Sequence, residues 1–176
     1  MSCCPASMRR VRPAWAVVVG GSVARNFMSA EILLDTNVLV YAFDADERVK
    51  QTRALEVLVA LQRRGSAAVS SQVLGEFFVT ATRKFPTSMD ASVAASHVQR
   101  FAEVFEVLDC GLAVTLEALR GVVRYRLAFY DAQVWATARL NHVALVLSED
   151  LPGAAEIEGV RFANPFAQDF DVSALG

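Results

Sequence analysis

The sequence predicts an α/β fold in three layers, with helices on both faces of a parallel sheet of about five short strands. Three observations lead there. Short apolar runs recur along the chain, each is followed by a stretch with helical periodicity, and the residues between them are cap and turn formers such as Asp, Ser and Gly.

Ile32–Leu34 is an apolar run ending at Asp35 and reads as a fully buried strand. Asp35-Thr36-Asn37 leads into a short helix over Val38–Phe43, which Asp35 or Thr36 can cap. After a loop at Asp44–Asp46, Leu55, Leu58 and Leu61 recur at helical spacing within a helix over Arg48–Arg64, with Gly65 as its stop. Ala67–Val69 is the second strand, and Ser70-Ser71 caps a helix over Gln72–Lys84, which ends before Phe85-Pro86. Asp90 caps the next helix, through Phe105, and Val107-Leu108 is a third strand. Helices over Leu116–Leu127 and Asp131–Leu140 precede a fourth strand at Val143–Leu147 and a fifth at Val160–Phe162.

With 176 residues, 54% of them hydrophobic and 20% charged, the chain has a folded composition and fits one domain. Acids outnumber bases by 19 to 17, so no global positive charge advertises a polyanion partner. Residues 1–27 carry four arginines and no acid, which leaves 13 bases against 19 acids in the remainder. Their Arg-rich start and the run Ala14–Val19 resemble a signal peptide only faintly, because Gly20-Gly21 interrupts the run. Three residues separate Met28 from the first strand, so residues 1–27 are read as a disordered or mis-assigned extension and residues 28–176 as the domain. The longest uncharged stretch, Pro13–Ala24, is 12 residues, too short to span a bilayer. Cys3, Cys4 and Cys110 form no ligand or disulfide spacing, which fits a reduced, cytoplasmic compartment.

Four acids stand where a core-forming pattern would not place a charge. Asp35 and Asp150 follow the first and fourth strands, Glu76 interrupts Val73–Val79 on the helix after the second strand, and Asp131 opens a helix. In a parallel sheet the carboxyl ends of the strands share one edge, so these residues can meet there. Convergent carboxylates repel unless a cation neutralises them. Oxygen-only ligation suits Mg²⁺ or Mn²⁺ and not Zn²⁺, and such an ion supports hydrolysis of a phosphodiester. Each acid also has a plainer reading. Asp35 and Asp131 can be helix caps, Asp150 a turn residue, and Glu76 part of an exposed helix face.

The segments Leu33–Ala42, Ser70–Phe77, Tyr130–Ala136, Leu147–Leu151 and Asn164–Phe166 closely resemble, in order and spacing, the PIN-domain family and within it the VapC-like toxins of toxin–antitoxin pairs. The resemblance covers Ile32 to Phe166 and implies a PIN-like α/β/α fold. It implies an endoribonuclease in which Asp35, Glu76, Asp131 and Asp150 are catalytic and hold Mg²⁺ or Mn²⁺, with Asn37 and Ser148 in support. It further implies an RNA substrate, a homodimer, and a cognate antitoxin whose Arg-bearing tail occupies the acidic groove; the apolar surface such a partner would use is placed here near Val38–Phe43 and Phe77–Val79. The motif match puts the fourth ligand at Asp150, not at the adjoining Glu149; Leu151-Pro152-Gly153 departs from the more polar stretch expected there.

Two other readings compete. A phosphatase with Asp35 as nucleophile usually has a second Asp two residues on, where this chain has Asn37. A silent module that only binds another protein would not need all four acids. Arg120, Arg124 and Arg126, with Arg83-Lys84, are candidates for phosphate contact or for plain surface solvation. His97 and His142 have no partner spacing for catalysis, and Trp135 and the eleven phenylalanines read as core.

Overall fold

The computed structural model describes residues 30–83, 88–150 and 155–175. The N-terminal extension, the Phe85-Pro86 helix stop and the Leu151-Pro152-Gly153 turn lie outside the described residues. β1 (Ile32–Leu34), β2 (Ala67–Ser70), β3 (Glu106–Leu108), β4 (Leu145–Leu147) and β6 (Val160–Ala163) run parallel, and β5 (Glu156–Ile157) is an antiparallel edge on β6. The sheet order is β3-β2-β1-β4-β6-β5. Every residue of β1 and β2 is buried, which requires cover on both sheet faces, the α/β/α arrangement expected.

Six helices supply that cover: α1 (Thr36–Tyr41), α2 (Arg48–Arg64), α3 (Ser71–Arg83), α4 (Ala91–Val104), α5 (Leu112–Tyr125) and α6 (Phe129–Leu140). A 3₁₀ turn at Val172–Leu175 packs on α2. The signals read from sequence act as expected at several ends. Asp35 and Asp90 cap α1 and α4, Gly65 closes α2 at φ 71°, and the Ser70 hydroxyl accepts from the Val73 amide at 3.1 Å.

Three expectations change. Asp131 does not cap α6: Ala128 occupies that position, and Asp131 is the third helical residue. α5 begins at Leu112, ahead of Leu116, because Gly111 caps it without a side-chain hydrogen bond and so leaves no polar start signal. The anticipated apolar docking surface is largely core, since Val38, Leu39 and Phe77 are fully buried and Phe43 packs on Phe77. Val79 alone of these is exposed, and a longer row of exposed apolar side chains lies on the outer face of α5, where Leu112, Leu116, Leu119 and Val123 recur at i, i+4, i+7 and i+11. Trp135 is core, as expected, but Phe129 and Tyr130 project from the start of α6.

The chain lays down β1, β2 and β3 to one side of β1, then returns to place β4 on its other side. Between β1 and β4 the connections diverge, opening a crevice at the carboxyl ends of the two strands. Leu34 is in register with Leu147, so the residues that follow each strand meet at that crevice.

Candidate active site

Asp35 leaves β1 with its amide bonded to the Leu147 carbonyl at 3.0 Å, which ties it to the end of β4. Its Oδ1 accepts from the Thr36 amide at 2.6 Å. Its Oδ2 accepts from the Ser148 hydroxyl at 2.6 Å and from Asn37 Nδ2 at 3.1 Å. Ser148 is buried beneath the crevice and also accepts from Asn37 Nδ2 and from the Asp150 amide, at 3.0 and 3.1 Å. One donor bond and two accepted bonds saturate that hydroxyl. Asn37 and Ser148 thus fix the Asp35 carboxylate and the loop that carries Asp150.

Glu76 approaches from α3. Thr36 Oγ1 donates to its Oε2 at 2.7 Å, and Gln72, one turn earlier on the helix, donates to its Oε1 at 3.1 Å. Asp131 enters from the first turn of α6. The acids Asp35, Glu76, Asp131 and Asp150, with Asn37, line one cleft of about 440 Å³, to which Tyr41, Gln72, Thr80 and Tyr130 also contribute. All four acids singled out from sequence therefore face one space, and Ser148 lies directly below it.

Electrostatics mark that space as short of positive charge. Burial pushes the Asp35 carboxyl up to about 6, against the lowering effect of the Ser148 and Thr36 hydrogen bonds, and the charges of Asp131 and Glu76 add to the rise. Asp131 is raised as well, first by burial and then by Asp150 and Glu76. Among the described residues no arginine lines this cleft. Arg120 is engaged by Glu117 and Glu158 and stacks near Trp135, which makes it part of a surface network.

Among the described residues no three acidic or imidazole side chains are gathered closely enough to hold an ion as they stand. The fit to a divalent ion rests on the donor set, which is oxygen-only and convergent, with strained ionisation. Three lone pairs of Asp35 are in use, leaving an acceptor site on Oδ1.

Sequence reasoning missed Thr36, Tyr41, Gln72, Thr80, Tyr130 and a fifth acid in the cleft wall, Asp44. Gln72 had a signal, because it precedes Glu76 by one helical turn and shares its face. Tyr41 had none, since the carboxylate its hydroxyl meets, Glu149, lies 108 residues along the chain.

Comparison with known proteins agrees with the fold. No curated protein sequence matches the chain. Similar solved structures include a chain of a toxin–antitoxin complex from Klebsiella pneumoniae, at 21% identity and TM-score 0.54, covering 78% of this chain and 98% of that one. A chain of VapBC2 from Rickettsia felis, bound to a DNA fragment from their promoter, matches at 17% identity and TM-score 0.56, covering 76% and 97%. The sarcin-ricin loop cleaving toxin VapC20 of Mycobacterium tuberculosis matches at 22% identity and TM-score 0.52, covering 74% and 98%. At these identities the likeness is one of fold. The family model described as PIN domain matches residues 32–151, a stretch that runs from β1 past Asp150 and contains Asp35, Glu76, Asp131 and Asp150, and the chain accordingly belongs to the PIN domain family.

Proposed function

We propose that the protein is the toxin of a toxin–antitoxin pair, a Mg²⁺- or Mn²⁺-dependent endoribonuclease acting in the cytoplasm. The observation that carries this reading is the convergence of Asp35, Glu76, Asp131 and Asp150, from four separate elements, on the crevice between β1 and β4. Asp35, Glu76, Asp131 and Asp150 would hold a divalent ion, which when bound would lower the pKa of water and offset negative charge at the phosphodiester. Asp35, held by Ser148 and Asn37, would be a fixed ligand, and Thr36 and Gln72 keep Glu76 turned into the cleft. Among the described residues no helix is long and apolar enough to cross a membrane.

The test is incubation of purified, antitoxin-free protein with cellular RNA and Mn²⁺ or Mg²⁺. Cleavage that EDTA abolishes supports the reading. Intact RNA with both metals overturns it and leaves the PIN-like module as a binding protein.

RNA cut at such a site must be unpaired locally so that its backbone can enter. Tyr130 lines the cleft, is 61% exposed and meets Phe129 edge to face at 5.6 Å, a geometry that offers a ring to an unstacked base. Tyr130→Ala is expected to weaken single-stranded RNA binding about tenfold in Ca²⁺, measured by fluorescence anisotropy, while Tyr130→Phe retains it. Equal affinity in both variants would remove base stacking from the mechanism.

The homodimer is proposed on the outer face of α5. Leu112 and Val123, 73% and 84% exposed, end a stripe with the 4-3-4 spacing that packs helix against helix. Leu116→Glu is expected to convert a dimer to a monomer in light scattering, without loss of helix content. A wild-type monomer at working concentration would sink this assignment. An antitoxin tail bearing Arg would find its charge partners in the acidic cleft, and the structures of toxin–antitoxin complexes with this fold support that partner class.

A further inference from the structure

Glu149 adjoins Asp150 but faces the other way. Its Oε1 lies 2.6 Å from Lys50 Nζ, and its Oε2 accepts from the Tyr41 hydroxyl at 2.5 Å. Lys50 also donates to the Tyr41 oxygen at 2.9 Å and lies 4.4 Å from the ring centre, and Phe166 packs edge-on against the same ring at 4.9 Å. The Glu149 amide donates to Asn37 Oδ1 at 3.3 Å, so this residue is held at backbone and side chain alike. Tyr41 and Asp150 line the acidic cleft, whereas Glu149 is not part of its wall.

The magnitudes argue against a mainly stabilising purpose. The side chains of Lys50 and Glu149 are 30% and 25% exposed, and ion pairs in contact with water contribute little to stability. What the arrangement does is geometric. Successive side chains of an extended or bent segment diverge, so anchoring Glu149 toward α2 leaves the next carboxylate turned to the cleft. With the Asp150 amide fixed on Ser148, the two anchors define the direction of that loop.

We propose that Lys50 and Tyr41 are positioning residues which, through Glu149, hold Asp150 toward the metal-binding cleft, and that Glu149 is an anchor and not a ligand. The proposal rests on the metal-dependent reading above and assigns roles to three residues outside the four acids. Partners that orient ligands in this way commonly change metal affinity 10–100-fold when removed.

The experiment compares full-length wild type with Lys50→Met, Lys50→Arg and Tyr41→Phe. Mn²⁺ affinity is read by calorimetry, thermal stability in EDTA, and amide exchange at Glu149 and Asp150 by NMR. Lys50→Met is expected to weaken Mn²⁺ binding about tenfold or more, with a small change in Tm in EDTA. Exchange at the Glu149 and Asp150 amides should rise while Leu145–Leu147 stay protected, and Lys50→Arg should restore most of the affinity. Tyr41→Phe removes one hydroxyl only and should give a smaller loss of the same kind, independent of any folding defect in Lys50→Met. Wild-type binding of Mn²⁺ with unchanged affinity in both Lys50→Met and Tyr41→Phe would overturn the proposal alone. Affinity losses that merely track global Tm would overturn it too. A wild type that binds no Mn²⁺ would remove the metal-dependent reading and this proposal with it.

Discussion

Asp35→Asn is expected to lower RNA cleavage about a thousandfold or more and, at pH 8 without metal, to leave the protein more stable than wild type by about 1–2 kcal/mol. The second half follows from burial. Asp35 ionises near 6 in the fold against an ordinary value of 3.8. A raised folded pKa contributes stability below the unfolded value, near pH 4, and that stability is lost as pH rises through about 6. Above that, the metal-free wild type carries a deficit of about 3 kcal/mol, since each tenfold weakening of the acid corresponds to roughly 1.4 kcal/mol. An amide at position 35 removes the charge. It also replaces one acceptor oxygen with a donor; with the amide nitrogen at the Oδ1 position, Ser148 and Asn37 keep their acceptor and only the bond from the Thr36 amide is lost, worth about 1 kcal/mol. The remainder is the expected gain.

Thermal unfolding in EDTA at pH 8 and pH 4.5 checks the sign. The variant should be the more stable at pH 8, and the order should close or reverse at pH 4.5. Excess Mn²⁺ should raise the wild-type Tm, because binding to the folded state alone stabilises it, and leave the variant unmoved. An Asp35→Asn protein less stable than wild type at pH 8 would mean that Ser148, Asn37 and Thr36 already satisfy the charge. The wild type's apparent affinity for Mn²⁺ should likewise fall as pH drops through about 6, since a proton on Asp35 competes with the metal.

The acids were legible because each interrupts an apolar pattern or ends a buried run, and a misplaced charge is visible in one dimension. Helix ends were legible where a side chain makes the cap, as at Asp35 and Asp90, and less so where backbone alone does, as at Gly111 and Ala128. β6 was legible as the fifth strand, but its hairpin partner β5 escaped because two residues carry no periodicity. The turn between them is Glu158-Gly159, both at positive φ, but Glu is an unusual residue there and gives no turn signal. Lys50, Tyr41 and Glu149 could not be connected from sequence. The spacing of 108 residues between Tyr41 and Glu149 is set by the β1–β4 adjacency, which local pattern does not encode. The faces of α5 were not legible for another reason. It has two apolar faces, one buried through Val114, Ala118 and Gly121 and one exposed, and helical periodicity alone does not say which meets the core.

The buried face of α5 carries the second large prediction. Gly121 packs against the Trp135 ring, and a Cβ there would lie 2.8 and 2.9 Å from two ring carbons. The ring cannot easily yield. Trp135 is fully buried, its Nε1 donates to the Ile157 carbonyl at 3.1 Å, and Tyr125 packs edge to face on it at 5.6 Å. Gly121→Ala should therefore destabilise by about 1–3 kcal/mol, the cost of overpacking, although alanine favours a helix by about 1 kcal/mol. Gly75 is the internal control, since it lies within α3, is exposed, and has nothing within 4 Å of an added Cβ. Gly75→Ala should stabilise by about 0.5–1 kcal/mol. The functional consequence separates the two further. Asp131 lies in the first turn of α6, the helix that bears Trp135, so forcing α5 away from that helix displaces a cleft carboxylate. Gly121→Ala should lose cleavage several-fold even below its Tm, because misplacement of a catalytic group by a fraction of an ångström is costly. Urea unfolding and initial cleavage rates at 25 °C measure both effects. Stabilisation by both alanines would show that α5 and α6 are not packed through Gly121, and the placement of Asp131 would have to be sought in some other contact.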